Sequence, residues 1–314
     1  MQNQNPVLIV QNLRKEFHTK AGDFTAIDNI SFNLYEGEIL GLLGPNGAGK
    51  TTTVQILLST LKATSGNIVM LGKDFFTQRS ECLQYVGFAS AYVNLPEHLT
   101  VYQNLDVHGM LFNFSGSLLK GKIEKYLKAF NAWKLKNKQI RELSAGQKTR
   151  VMLAKAFMTN PKIILLDEPT ASLDPEIAVQ VRQFILQQKE ERNFSIIFTS
   201  HNMDEVIQVC DRVLVMKEGK IIANDAPYKL LSTISTSHLH LLLEEDMEKA
   251  IEFTKLQNLS YKVYENWIEI EIDENKIAKF LIDLSQASIT YSQIYIDAPT
   301  LEDYFLQISA KPKS

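Results

Sequence analysis

At 314 residues the chain has room for one large domain and a smaller one, and it can bury a substantial core. Apolar residues make up 45% and charged residues 22%, an ordinary globular balance, and a formal charge of −3 removes the electrostatic case for a nucleic-acid partner. The two cysteines, Cys82 and Cys210, lie far apart without a ligand-spaced partner, which speaks against a disulfide framework or a zinc site and fits a reducing compartment.

The opening MQNQNPVLIVQN lacks the basic flank and apolar core of a secretion signal. No later run approaches the roughly 18 apolar residues of a membrane span, so service at a membrane is expected to need another chain that crosses it. Short β-type runs at residues 7–11, 31–34 and 39–43 lead to a glycine-rich turn, and TTTVQILLSTL from Thr51 then reads as a helix without a breaker before Ser65 and Gly66. From about residue 74 to 140 the periods are helical, as in KGKIEKYLKAFNAW, and no buried-strand run is apparent. A mostly helical subdomain, about 75–160, is therefore expected inside a sheet domain. KIILLD at 162–167, FSIIFTS at 194–200 and RVLVMK at 212–217 are short and almost wholly apolar, as strands buried on both faces must be. Helical stretches at 149–158, 176–190 and 203–209 alternate with them, and a parallel α/β sheet follows.

The aperiodic STISTS at 232–237 marks an expected linker between a domain at 1–231 and another at 238–314. Beyond it come strand-like LHLLLEE, helical DMEKAIEFTKL, a strand pair split near Glu265 and Asn266, helical ENKIAKFLIDLSQ, strand-like ITYSQIYI and a closing helix, TLEDYFLQI. The order βαββαβα predicts a small α+β domain of ferredoxin-like type.

GLLGPNGAGKTTT carries the first chemistry. Gly44, Gly49, Lys50 and Thr51 satisfy G-x-x-x-x-G-K-[ST], in which small residues turn backbone N–H groups toward phosphates and Lys50 offsets their charge. The following helix adds its unpaired N–H groups, and Thr51 can offer a hydroxyl to Mg²⁺. In IILLDEP, Asp167 closes a buried strand, where it can hold Mg²⁺ through water, and Glu168 follows, placed to take a proton from an attacking water. His201 ends another buried strand and so reaches the same carboxyl edge, within range of a γ-phosphate. In ELSAGQKTR, Ser144 and Gln147 form an S-x-x-Q capping box, while Ala145 and Gly146 leave the helix start bare, as an anion site requires. His238 and His240 alternate on one strand face and would need further ligands to hold a metal; they are read as structural.

Taken in order, these motifs resemble the nucleotide-binding domains of ABC transporters. Gly44, Pro45, Asn46, Gly47, Ala48, Gly49, Lys50, Thr51 and Thr52 resemble the Walker A loop, and LSAGQ the family signature usually seen as LSGGQ. IILLDE is similar to Walker B with its catalytic glutamate, SLD ending at Asp174 to the D-loop, and TSH to the switch histidine. Phe17 sits where the family places an aromatic that stacks on adenine. The resemblance implies an ATPase that uses ATP and Mg²⁺ in a head-to-tail dimer, each nucleotide held between one chain's Walker A loop and the other chain's Ser144, Ala145, Gly146 and Gln147. It also implies a separate integral membrane permease, with this subunit cytoplasmic and peripheral on the membrane. PTLEDYFLQIS resembles the ending of ATP-binding subunits of ABC-2-type exporters.

Two departures stand out. Ala145 replaces the first signature glycine, and Ala91 falls where the family has its Q-loop glutamine, so coupling to the permease is expected to be weaker. The competing possibilities are a soluble ABC ATPase acting on nucleic acid or ribosomes, for which neither a long coiled coil nor a second ATPase unit is present, and a regulatory subunit that binds ATP with little turnover.

Overall fold

The computed structural model describes residues 5–20, 22–90, 95–234, 236–297, 300, 301, 303 and 304. The chain divides into two compact units, Met1–Pro227 and Tyr228–Ser314.

The first unit opens with an antiparallel hairpin of β1 (Pro6–Thr19) and β2 (Gly22–Tyr35), followed by β3 (Ile39–Leu43), whose five residues are all buried. After β3 comes α1 (Lys50–Leu57), shorter than its apolar pattern suggests because Ser59 turns left-handed at φ 58°. β4 (Ser65–Met70) and β5 (Lys73–Asp74) complete a sheet in the order β2-β1-β4-β5. Next are α2 (Arg79–Leu83), β6 (Val86–Ser90), α3 (Val101–Leu111), α4 (Gly116–Ala129) and α5 (Ala145–Met158). The rest of the unit alternates: β7 (Ile163–Asp167), α6 (Pro175–Arg192), β8 (Ser195–Thr199), α7 (Met203–Val209), β9 (Arg212–Lys217) and β10 (Lys220–Asp225).

The second sheet runs β10-β9-β3-β8-β7-β6, parallel except for β10. β6 corrects the expectation that 74–140 holds no buried strand: it pairs with β7 from Val86↔Ile163 to Ser90↔Asp167. Small residues hid it. Gly87 and Ala89 keep the run's hydropathy low, and the small size is required, since a Cβ on Gly87 would stand 2.3 Å from the carbonyl oxygen of Ala156 in α5. α1 contributes Val54, Ile56 and Leu57 to one core with Leu8, Val10 and Ile30 of the hairpin and Leu40, Leu42, Leu165, Ile197 and Leu214 of the parallel strands. The two sheets thus pack around the helix that follows the glycine loop, which fixes that loop at their common edge.

After α8 (Pro227–Leu231), the second unit contains β11 (Thr236–Leu242), α9 (Met247–Leu256), β12 (Tyr261–Tyr264), β13 (Trp267–Asp273), α10 (Glu274–Gln286) and β14 (Gln293–Asp297). Its sheet is antiparallel in the order β12-β13-β11-β14, the split-βαβ arrangement of ferredoxin-like folds. Period-2 alternation places Leu239, Leu241, Ile268, Ile270 and Ile272 on one buried face, against Ala250 of α9 and Ile277, Phe280 and Leu284 of α10. His238 and His240 lie on the opposite face. His238 Nδ1 is 3.1 Å from Glu269 and His240 Nε2 is 3.0 Å from Asp297, and no group of three metal-ligating side chains is found among the described residues.

Candidate functional site

The site grows from the carboxyl edge of the parallel sheet. β3 delivers a loop in which Gly44, Gly47 and Gly49 take φ of 155°, 80° and 105°, values that favour glycine, and this turns the chain sharply into α1. Lys50 closes the loop on itself: its Nζ donates to the carbonyl oxygens of Gly44 (2.5 Å) and Pro45 (3.0 Å). Burial pulls the Lys50 pKa below the usual lysine value, while the charges of Glu168 and Asp167 push it back up.

Two strands along, β7 ends at Asp167. Its Oδ1 accepts a hydrogen bond from Thr199 Oγ1 at 2.7 Å and its Oδ2 accepts one from Ser90 Oγ at 3.4 Å, so residues on both neighbouring strands orient it. Glu168 then turns left-handed at φ 53°, and its N–H donates to Thr199 Oγ1 at 3.1 Å. This turn carries the Glu168 carboxylate back toward β8, where Oε2 lies 2.6 Å from His201 Nδ1 and accepts from the His201 N–H at 3.3 Å. A carboxylate held against an imidazole at the mouth of a phosphate loop can accept a proton from a water poised there.

A cleft of about 340 Å³ joins these pieces, lined by Phe17, Phe24, Ala26, residues 46–52, Asp167 and Glu168. Phe17, Asn46, Gly47, Ala48, Gly49, Lys50, Thr51, Thr52, Asp167 and Glu168 therefore share one space, and His201 is tied to it through Glu168. Gly44 and Pro45 contribute carbonyls to Lys50 rather than walls to the cleft. Phe24 was not singled out from the sequence, yet it pairs directly with Phe17 across the hairpin and is 55% exposed. Thr199 and Ser90 aim Asp167, an orienting role the sequence did not assign to them; its only sequence signal is a polar residue closing an apolar strand.

The signature segment stands apart from this cleft. Ser144 caps α5 in a reciprocal box, accepting from the Gln147 N–H at 3.3 Å while the Ser144 N–H donates to Gln147 Oε1 at 3.2 Å, and Ser144 and Ala145 are exposed. Gly146 backs onto the loop before α6, where a Cβ would stand 2.7 Å from the Ser172 carbonyl oxygen. Asp174 occupies the N-cap position of α6 and is exposed. Ala91, with residues 92–94, lies outside the described residues.

With this geometry in hand, the similarities to known proteins fall in one group. A family model described as "ABC transporter" matches residues 27–171. The uncharacterized ABC transporter ATP-binding protein YcbN of Bacillus subtilis is 30% identical over 90% of this chain and 91% of its own length. The bacitracin transport ATP-binding protein BcrA of Bacillus licheniformis is 29% identical over 91% of this chain and 93% of its own. Relatives named for export and for import both occur among the matches. Among solved structures, the ATP-binding cassette MJ0796, in a dimeric post-hydrolysis state bound to ADP and Pi, superposes with a TM-score of 0.64 at 25% identity, over 70% of this chain and 98% of that one. The phosphate loop, the paired acidic residues at the end of β7 and these likenesses agree: the chain belongs to the ABC transporter family as an ATP-binding subunit, and it is an ATPase.

Proposed function

We propose that this subunit powers an ABC-2-type exporter through a separate membrane permease, working as a pair of cassettes on the cytoplasmic face. In this reading the loop N–H groups and Lys50 hold the β- and γ-phosphates, and Phe17, with Phe24 beside it, receives the adenine ring. Thr51 and Asp167 would hold Mg²⁺. The fit is good, because Asp167 is a single buried carboxylate with both oxygens oriented, and Mg²⁺ in such sites takes one or two carboxylates plus substrate phosphates. When bound, the ion would offset the negative charge of the triphosphate.

The observation that carries the reading is the 2.6 Å contact of Glu168 with His201 at the rim of the phosphate cleft. Glu168 takes one proton of a water whose oxygen bonds to the γ-phosphorus, while the bond from that phosphorus to the β–γ bridging oxygen breaks and ADP leaves. His201 holds the Glu168 carboxylate in place and faces the γ-phosphate. Ser144, Ala145, Gly146 and Gln147 present a bare helix start to the second cassette's nucleotide, and Asp174 is exposed as well.

Export draws support from the relative named for Nod factor export, 36% identical over 226 residues, and the bacitracin transport relative aligns over 293 residues, which leaves too few outside it to omit the second unit. No helix among the described residues is long and apolar enough to cross a membrane, so the reading assigns the crossing to the permease. Changing Glu168→Gln tests the core of the proposal. ATP binding should survive, turnover should fall by roughly a hundredfold or more, and an ATP-dependent dimer should appear on gel filtration. Wild-type turnover in that variant removes Glu168 from the role.

A further inference from the structure

We infer that Glu205 is a positioning residue that sets the Glu168–His201 pair, an inference that rests on the roles proposed above for those two. Glu205 sits in the first turn of α7, behind the loop that carries His201, and its side chain is only 6% exposed. A carboxylate so buried must be fully engaged or it is costly. It is engaged by three separate segments. Oε2 accepts from Thr170 Oγ1 at 2.5 Å and from Ser200 Oγ at 3.1 Å, and Oε1 accepts from Arg182 Nη1 at 2.7 Å.

The positions of those partners give the contact its meaning. Thr170 lies two residues after Glu168, in the loop from β7 to α6. Ser200 immediately precedes His201, in the loop from β8 to α7. One oxygen of Glu205 therefore ties together the two loops that must bring Glu168 and His201 within 2.6 Å, and the other oxygen fastens that tie to Arg182 on α6. Ser200 Oγ also accepts the Asn202 N–H at 3.0 Å, and Asn202 Oδ1 accepts the N–H groups of Asp204 and Glu205 at 3.0 and 3.3 Å. The first turn of α7 and the His201 loop thus form one hydrogen-bonded piece, with Glu205 as its link to the Glu168 loop. Glu205 lines a neighbouring cavity and not the phosphate cleft, so it acts through the pair without touching nucleotide.

A positioning role makes a distinct kinetic prediction. Glu205→Gln keeps shape but loses the charge that Arg182 faces, and a small displacement of a reacting group costs roughly ten- to a hundredfold in rate. The kcat for ATP should fall at least about tenfold while KM and ATP affinity stay within about twofold. In a His201→Ala background, adding Glu205→Gln should lower the residual turnover no further, because the geometry it protects is already gone. Thr170→Val removes one hydroxyl from the same oxygen at nearly constant shape and should show the same pattern at smaller size, about threefold.

A rise in KM with kcat unchanged, or an equal loss with and without His201, overturns the inference. Should Glu205→Gln fail to fold, Thr170→Val decides, and wild-type kcat in that variant overturns it too. Failure of the underlying roles is seen separately, as wild-type turnover in Glu168→Gln.

Discussion

Gly146→Ala adds one methyl group at the exposed start of α5, and composition alone would forecast a gain, since alanine is the better helix former by up to about 1 kcal/mol in a helix interior. The structure predicts a loss. The new Cβ would stand 2.7 Å from the Ser172 carbonyl oxygen, a backbone atom that no rotamer can move aside. Relief requires a shift of several tenths of an ångström in either the α5 start or the loop holding Ser172 and Asp174. Overpacking of this kind costs about 1–3 kcal/mol, and the propensity gain is reduced in the first turn, so the net is a destabilisation of about 1–2 kcal/mol. For a unit of this size that lowers the melting temperature by roughly 2–8 °C. Both displaced segments are proposed to face the second cassette, so turnover should fall about tenfold while ATP affinity, set in a cleft that neither segment lines, holds. Calorimetric melting with steady-state turnover on the same preparation checks both numbers. A variant that melts above the wild type with full turnover would refute the reasoning, because it would mean the two segments are not in contact.

Lys50→Ala should lower ATP affinity by roughly a hundredfold, since each charge-assisted hydrogen bond it moves from loop carbonyls to phosphates contributes about 1.5–3 kcal/mol. Titration calorimetry decides it, and an unchanged affinity would remove Lys50 from the phosphate site. His108, on α3 with its ring 4.8 Å from Phe112, is pushed down to about 4 by burial and then by the charge of Lys155. Above pH 6.5 neither folded nor unfolded chain protonates it, whereas between 6.5 and 4 the unfolded chain gains a proton that the folded one refuses. Stability is therefore full above the unfolded value and is lost as pH falls through that window, by about 2 kcal/mol once partial exposure is discounted. His108→Leu should lose less melting temperature than the wild type between pH 7.5 and 5. Parallel curves for the two proteins would exclude the contribution.

The parallel strands were readable where they are apolar throughout, as in IILLD and SIIFT, because burial on both faces leaves no other pattern. VGFAS escaped for the opposite reason: as the edge strand against α5 it is selected for small size, and a glycine and an alanine carry no strand signal. The second unit was legible through its alternation, since WIEIEI can bury only one face, and its partner LHL and the strand beyond that, QIYI, repeat the same period. The end of α1 was not, because the left-handed turn there is taken by Ser59 and not by a glycine, so the sequence carries no stop signal.

The candidate site divides along the same physical line. Lys50, Asp167 and Glu168 could be named from sequence because local spacing along one loop or one strand end places them. Their orientation could not. Asp167 is aimed by Ser90 on β6 and Thr199 on β8, residues far away in the chain that adjoin it only through the strand order β8-β7-β6. Phe24 reaches the cleft only because the hairpin register sets it opposite Phe17. Glu205 is the extreme case: in MDEV it reads as an acidic residue suited to a helix first turn, where it would be solvated and favourable to the dipole. Burial against Arg182, Thr170 and Ser200 changes its meaning, because a carboxylate withdrawn from water is held in position by the partners that offset its desolvation. In this cassette the groups that would act on phosphate are set by local sequence, and the precision with which they meet is set by side chains that only the assembled sheet brings together.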